Sequence, residues 1–399
     1  MKKNLMIIFG GKSTEHDISI LTALQVMSAV NKEKYNLFPI YITNDGKWFF
    51  GDNLLDTKFY LNFDKKTLKE VSILPNSKYL FVKKFNKYKQ FAKIDCAIIS
   101  CHGKNGEDGT IQGLLELGGI PYSSSGVDGS AIGLDKSLMK QIFAYNKIPI
   151  TKFIEVTKKE FETEKDIFLK ILSKVDLPVV VKPNRLGSSI GISICKTQEE
   201  LFEAMHLAFM FDEKVLVEKL VENLKEVNIS VLGDSENAIL SVTEEVQNKG
   251  FLSFDKKYLS SSPSKIKNDK KQNDIENKNL FGSKNGMQNM DRIIPANLTK
   301  TEQKQIEELS KKIFKCLNSK GVVRIDFMID TKSRKVYANE INTIPGSFAF
   351  YLWEKSGIKF PDLIDKLVDI AEKHQKKSDS LTTTFTSSVL NQNQINFKK

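Results

Sequence analysis

Two segments near the end of the chain, Gly321–Met328 and Asn339–Gly346, constrain it most. Side chains alternate between the two faces of a strand. In the first segment Arg324 and Asp326 therefore share one face, and Val323, Ile325 and Phe327 share the other. In the second, Glu340 and Asn342 share a face. The polar stretch 330–335 between them reads as a hairpin turn. A hairpin symmetric about Ser333 sets Asp326 opposite Glu340 and Arg324 opposite Asn342. Two carboxylates, an amide oxygen and a guanidinium then gather on one patch. Oxygen donors of this kind suit Mg²⁺, above all where substrate phosphates complete its shell. The ordinary alternative is a surface hairpin with cross-strand charge pairs. The motifs elsewhere in the chain favour the metal site. Register carries this expectation, because a slip of one residue sends every side chain to the other face.

The 399 residues are enough for two or three domains. No apolar run is long enough to span a bilayer, and no membrane partner is expected. The N-terminal run Leu5–Phe9 is too short for a signal peptide and ends in Gly10 and Gly11, so it reads as a first core strand. Four scattered cysteines fit a reducing, cytoplasmic setting. The net charge of +11 raises the question of nucleic acid. The basic residues are spread along the chain, however, and nearly all are lysine. Arginine occurs only at Arg185, Arg292, Arg324 and Arg334. A chain that uses lysine almost everywhere keeps arginine mainly where a rigid planar fork matters. The most basic polar stretch, 260–290, has one phenylalanine and no tyrosine or tryptophan, a poor platform for stacking bases. No nucleic-acid partner is expected.

The element order predicts an α/β fold. Residues 1–124 read as an α/β domain on an open parallel sheet, with strands at Leu5–Phe9, Tyr35–Ile42 and 95–100 and a helix over 19–30. Residues 45–94 resist assignment. A second unit, 125–222, opens with an amphipathic helix over 135–147, whose stripe is Leu134, Leu138, Ile142 and Tyr145. Short strands follow at 177–182, 190–195 and 215–220. A third unit, 223–375, holds strands at 226–232 and 238–246, a helix over 301–317 and the hairpin. Segments 260–290 and 376–399 are too polar to offset their ordering entropy by burial, and disorder is expected there.

Three loops carry further signals. Gly10–Ser13 resembles a P-loop only superficially, because Met6 stands where the earlier glycine belongs. It still reads as a tight turn placing Glu15 and His16 at a helix start, where an acid is favourable for electrostatic reasons alone. The loop His102–Gly113 holds four glycines in a dozen residues, so its backbone can approach a ligand closely, and it delivers His102 at a strand end. The loop Pro183–Gly191 follows Lys182. Gly187, Ser188, Ser189 and Gly191 make it rich in N–H and hydroxyl donors, suited to folding over phosphates with Lys182 as a point charge.

Together these segments resemble the ATP-grasp family, and within it the D-alanine–D-alanine ligases, over residues 4 to about 375. The resemblance implies an N-terminal open-sheet domain followed by a two-subdomain ATP-grasp fold, α+β in that part. It implies ATP-dependent joining of two D-alanines through an acyl phosphate, for peptidoglycan precursors, in a cytoplasmic homodimer. ATP and two Mg²⁺ ions, with Mn²⁺ able to stand in, are the implied cofactors. Asp326, Glu340 and Asn342 match the metal ligands. Lys136 and Lys182 match the lysines on the nucleotide phosphates, Glu218, Lys219 and Val221 the adenine segment, and Glu226 the acid on the ribose. Arg324 and the amide of Gly346 match an oxyanion hole. Glu15 matches the acid that binds the first D-alanine ammonium, with His102 nearby. Ser188 and Tyr258 would complete a hydrogen-bonded triad with Glu15. The stretch Phe254–Leu259 resembles the lid loop, with Lys257 reaching the phosphate.

The chain departs from the family pattern in three places. After Gly346 it lacks the serine that binds the second substrate's carboxylate, and Tyr351 stands in about that place. Ala338 replaces a larger aliphatic residue. The insertion after the lid is unusually long. A related ligase using D-lactate or D-serine as acceptor is the first alternative, and Tyr258 argues for the dipeptide. Deleting 262–288 is expected to leave folding and turnover mostly intact; loss of the folded state in circular dichroism would make the segment structural.

Overall fold

The computed structural model describes residues 2–247 and 292–386. The expected positions of Lys257, Tyr258 and the lid, and all of 260–290, lie outside the described residues. Three sheets organise the rest.

The first sheet runs in the order β6-β5-β4-β3-β2-β1-β7. Its strands are β1 (Lys3–Gly10), β2 (Tyr35–Ile42), β3 (Trp48–Phe50), β4 (Lys69–Ile73), β5 (Tyr79–Lys84), β6 (Lys87–Lys93) and β7 (Cys96–Ile99). It is parallel where it was expected to be, with β1 between β2 and β7. Residues 45–94, unassigned from sequence, extend it antiparallel through β3 to β6. Helix α1 (His16–Ala29) packs on β1, and α2 (Thr110–Gly118) follows the glycine-rich loop.

Helices α3 (Val127–Leu134) and α4 (Lys136–Tyr145) lead into the second sheet. Its order is β10-β9-β11-β8, from β8 (Phe153–Thr157), β9 (Val179–Pro183), β10 (Ser193–Cys195) and β11 (Lys214–Lys219). Val179, Val181, Val215 and Val217 turn to a core made with α6 (Ile167–Lys174) and α7 (Gln198–Phe209), with α5 (Lys158–Thr163) beside it. By alternation Lys182 and Glu218 face the other way.

The third sheet, β14-β13-β12-β15-β16, comprises β12 (Leu224–Gly233), β13 (Ala238–Val246), β14 (Arg292–Ile293), β15 (Gly321–Asp330) and β16 (Lys335–Asn342). Val227, Ile229, Val231, Val323, Ile325 and Phe327 bury one face against α8 (Lys300–Cys316) and α4. Helix α8 starts in a capping box, with Thr299 and Glu302 satisfying each other's backbone N–H groups. After β16 come α9 (Phe350–Lys355) and α10 (Phe360–Asp379). Leu363, Leu367 and Val368 of α10 join the core of the first sheet, so this helix locks the third unit to the first.

Two expectations need correction. The apolar stripe of α4 is not Leu138 and Tyr145, which are 42% and 89% exposed. The buried face is Met139, Phe143, Lys136 and Lys140. Alternation of apolar residues misled the reading because two lysines occupy the inward face, where carboxylates of other elements pair them. The polar tail also begins later than residue 376. Helix α10 continues to Asp379, with Lys376 and Lys377 in its last turn, where cations favour the helix dipole. Phe143→Ala is therefore expected to lower stability by about 3–5 kcal/mol, and Tyr145→Ala by at most about 0.5 kcal/mol, in urea denaturation.

Candidate active site

The hairpin register carries Arg324 opposite Asn342 and Asp326 opposite Glu340, as the alternation predicted. A bulge follows at Asn339, between the pairs Asp326–Glu340 and Phe327–Ala338. The bulge lets the apolar residues of β16 stay on the core while Asn339 turns to Lys182, whose Nζ donates to Asn339 Oδ1 at 3.4 Å. Arg324 and Asp326 form a two-pronged pair, Nε to Oδ1 and Nη2 to Oδ2, both 2.7 Å. Asn342 Nδ2 donates to Asp326 Oδ2 at 3.1 Å. Burial raises the Asp326 carboxyl, and Arg324 works against that shift. Burial also opposes charge on Glu340, but Lys136, Lys182 and Arg324 outweigh it and hold that carboxyl below its ordinary value.

Lysines from α4 and from the second sheet close over this face. Lys136 opens α4, capped by Asp135, whose Oδ1 accepts from Leu138 N at 3.1 Å. Lys136 Nζ donates to Leu186 O at 2.7 Å and sits 3.5 Å from Glu340 Oε2, tying the serine-rich loop to the hairpin. Glu218 is fully buried between two lysines: it pairs closely with Lys182, and its Oε2 lies 2.9 Å from Lys140 Nζ. Thr151 Oγ1 donates to the same oxygen at 2.9 Å. Burial opposes the charge of Glu218, but Lys140 and Lys182 together hold its carboxyl far below the usual range. Glu226 lies on the same face of β12 as Asn228 and adds its charge near Lys182.

Glu15 lies where three loops meet. Ser188 Oγ donates to Glu15 Oε1 in a short hydrogen bond. A Cβ on Gly103 would fall 2.9 Å from Glu15 Oε2, and one on Gly187 would fall 3.1 Å from both carboxylate oxygens. Gly103 also has φ +71°, so two glycines let two loops press on one carboxylate. Burial raises the Glu15 carboxyl, while Ser188 and then Lys136 favour its charge. His102 is buried; its N–H donates to Ser19 Oγ at 2.9 Å and its Nε2 lies 2.9 Å from Thr22 Oγ1. Burial holds its imidazole at about 4, so it is neutral at pH 7. Ser347 N donates to the same Thr22 hydroxyl at 3.2 Å, which joins His102 to the turn that starts at Gly346. Ser188, Ser189, Ser347, Phe348 and Ala349 all have left-handed φ between 49° and 59°. Non-glycine residues held so are strained, and strain of this kind gathers at functional sites.

The structure thus brings together Glu15, His102, Lys136, Lys182, Ser188, Glu218, Glu226, Arg324, Asp326, Glu340, Asn342 and Gly346. It does not bring in the side chain of Lys219, which alternates to the other face of β11 and donates to Asp176 Oδ2 at 2.8 Å and Leu177 O at 2.9 Å. Only its backbone, with that of Val221, remains beside the strand end. Sequence reasoning missed Lys140, Thr151, Thr22 and Glu107. Glu107 bridges two loops, accepting from Gly103 N at 2.8 Å and Ile344 N at 3.2 Å. Burial, and then Glu15, push its carboxyl to about 8. Lys140 could have been found as the residue one turn after Lys136. The others required the tertiary contact.

Could the hairpin patch hold a divalent cation? Its donors are all oxygens, two carboxylates and an amide held in one register, which is the chemistry Mg²⁺ takes beside phosphates. Among the described residues no three His, Cys, Asp or Glu side chains converge, so Asn342 and phosphate oxygens would be needed to complete a shell.

The arrangement of three sheets, with charged faces of the second and third turned to each other, is the ATP-grasp architecture. The D-ala D-ala ligase N-terminus family matches residues 4–125, and the D-ala D-ala ligase C-terminus family matches 142–281 and 261–369. A D-alanine–D-alanine ligase of Caldicellulosiruptor bescii is 39% identical over 94% of this chain and 98% of its own. That of Bacillus pumilus is 37% identical over 96% of this chain and 100% of its own. Among solved structures, the D-alanine-D-alanine ligase from Coxiella burnetii superposes with TM-score 0.76 at 25% identity, covering 95% of this chain and 96% of that one. The VanG D-Ala:D-Ser ligase from Enterococcus faecalis gives 0.75 at 28% identity, covering 93% of this chain and 100% of that one. The chain belongs to the D-alanine–D-alanine ligase family.

Glu218→Gln leaves Lys140 and Lys182 facing each other without their carboxylate, and is expected to cost roughly 3–5 kcal/mol in denaturant unfolding. Because the folded Glu218 carboxyl titrates below its unfolded value, its contribution is present above the ordinary carboxylate range and is lost as pH falls below it. Wild type and Glu218→Gln should therefore converge in stability on acidification.

Proposed function

We propose that this chain joins two D-alanines into D-alanyl-D-alanine at the expense of ATP. The observation that carries the reading is the facing of Lys136 and Lys182 on Arg324, Asp326, Glu340 and Asn342, a cation pair above an oxygen-donor patch. Phosphoryl transfer requires positioning and charge neutralisation more than covalent help. Lys136 and Lys182 hold the nucleotide phosphates, Glu218 fixes Lys182, and Glu226 takes the ribose hydroxyls. Asp326, Glu340 and Asn342 would hold Mg²⁺, which supplies neutralisation of the phosphate charge.

Glu15 binds the first D-alanine ammonium. Ser188 holds Glu15, and neutral His102 shapes the same pocket without adding charge. A carboxylate oxygen of that D-alanine attacks the γ-phosphorus and ADP leaves, which gives an acyl phosphate. The amine of the second D-alanine attacks the acyl carbon, loses a proton, and phosphate departs. Arg324 and the Gly346 amide receive the negative oxygen of the tetrahedral intermediate. Tyr258 and Lys257, outside the described residues, are assigned to the closing loop by sequence resemblance alone. A homodimer acting in the cytoplasm completes the proposal. No helix among the described residues is long and apolar enough to cross a membrane.

The test is phosphate release by purified protein with ATP, Mg²⁺ and D-alanine, with L-alanine, D-alanine plus D-lactate and D-alanine plus D-serine in parallel. Release that needs D-alanine, with dipeptide identified by mass, supports the reading. Release with none of them overturns it. Arg324→Ala is expected to lower kcat by about 10²–10³-fold while ATP binding, read by fluorescent-nucleotide titration, is largely retained.

A further inference from the structure

The polar face of the third sheet has a second half that the scheme above does not use. Its register runs in one row across four strands: Glu244 on β13, Asn228 on β12, Asp326 on β15 and Glu340 on β16. Asp326 and Glu340 make the phosphate end. Glu244 lies two strands away, about 10 Å at ordinary strand spacing. Arg292 on β14 pairs with Val246, and alternation puts its side chain on the same face as Glu244. Helix α9 packs over β12 and β13 and brings Tyr351 down onto this half.

There Arg292, Glu244 and Tyr351 form one largely buried group. Tyr351 Oη donates to Glu244 Oε1 at 2.7 Å. Arg292 Nη1 donates to Glu244 Oε2 at 3.3 Å, and its guanidinium lies 4.6 Å from the centre of the Tyr351 ring. Asn228 Nδ2 also donates to Glu244 Oε1, at 2.9 Å. The Arg292 and Glu244 side chains are 14% and 2% exposed. Glu244 and Tyr351 lie within electrostatic reach of Arg324, so the group borders the oxyanion position.

We infer that Arg292, oriented by Glu244 and Tyr351, binds the carboxylate of the acceptor amino acid; the inference rests on the ligase reading above. The acyl carbon lies between Arg324 and Gly346, and phosphates fill the Asp326 side of it. An acceptor whose amine reaches that carbon must extend its carboxylate toward the other half of the face. That half carries a planar fork in a chain with only four arginines, and forks suit carboxylates. Glu244 takes the Tyr351 hydroxyl on one oxygen and Arg292 on the other, which fixes the guanidinium before the ligand arrives. The group also occupies the neighbourhood where the family pattern's serine is missing.

The test compares two acceptors at saturating D-alanine in the first site: D-alanine itself and D-alaninamide, which has an amine but no carboxylate and cannot serve as donor. Wild type is expected to prefer D-alanine in kcat/KM. Arg292→Met is expected to raise the acceptor KM for D-alanine by about tenfold or more, with the amide and the first-site KM unmoved. Arg292→Lys keeps the charge and loses the fork; it should show the same selective rise in smaller size, and it carries the test if the methionine variant does not fold. Unchanged acceptor preference in both variants, or equal loss of both acceptors, would overturn the inference and leave the trio a structural brace. Absence of D-alanine-dependent ADP formation by wild type would instead overturn the ligase reading, and this inference with it.

Discussion

The register of β15 between β12 and β16 governs almost everything at this site. With Asn228 opposite Asp326 and Asp326 opposite Glu340, one face of the third sheet is largely apolar and the other carries the strand residues proposed for metal, oxyanion and acceptor. The apolar face enforces the choice. Val227, Ile229, Val231, Val323, Ile325 and Phe327 are all essentially buried. A slip by one residue would expose them and bury Arg324 and Asp326 in the α8 core. Core packing thus selects the catalytic register, and the chemistry needs no separate device to hold its geometry.

Charge compensation is the second constraint. Lys140 and Lys182 are nearly inaccessible, as is Glu218, and burying any one of them alone would be prohibitive. As a group they are tolerable, and they leave Lys182 charged and fixed at the edge of the phosphate face. Two lysines around one carboxylate carry an excess positive charge, which suits a site that must receive a polyanion. Arg324 with Asp326, and Arg292 with Glu244, are each neutral overall. The lysines therefore lie on the side where phosphates would lie, and directional hydrogen bonding on the side where small amino acids would lie.

Much of this was legible in the chain. Period-two alternation around Arg324 and Glu340 gave face and register, because both strands are half-buried and each has a hydrophobic set to confirm the phase. The strand Tyr35–Ile42 and the strand Ala238–Val246 were also readable to the residue. What was not legible depended on contacts distant in sequence. Lys140 looks like a solvent residue until Glu218, remote in the chain, is set beside it. Glu107 looks like part of a polar loop until Ile344 N is seen donating to it across 237 residues. Residues 45–94 were unreadable because β3 to β6 are short and, on β6, exposed, so neither period was expressed. The stripe of α4 failed where two inward lysines replaced the apolar residues that periodicity relies on.

The central claim is that this face activates a carboxylate by making it an acyl phosphate. The most direct measurement is the fate of ¹⁸O from D-alanine labelled in its carboxylate. If a carboxylate oxygen attacks the γ-phosphorus, the phosphate released with each dipeptide carries one labelled oxygen, seen by mass spectrometry. Dipeptide formed alongside unlabelled phosphate would contradict the account, because the oxygen that leaves with phosphate would then not have come from the donor acid.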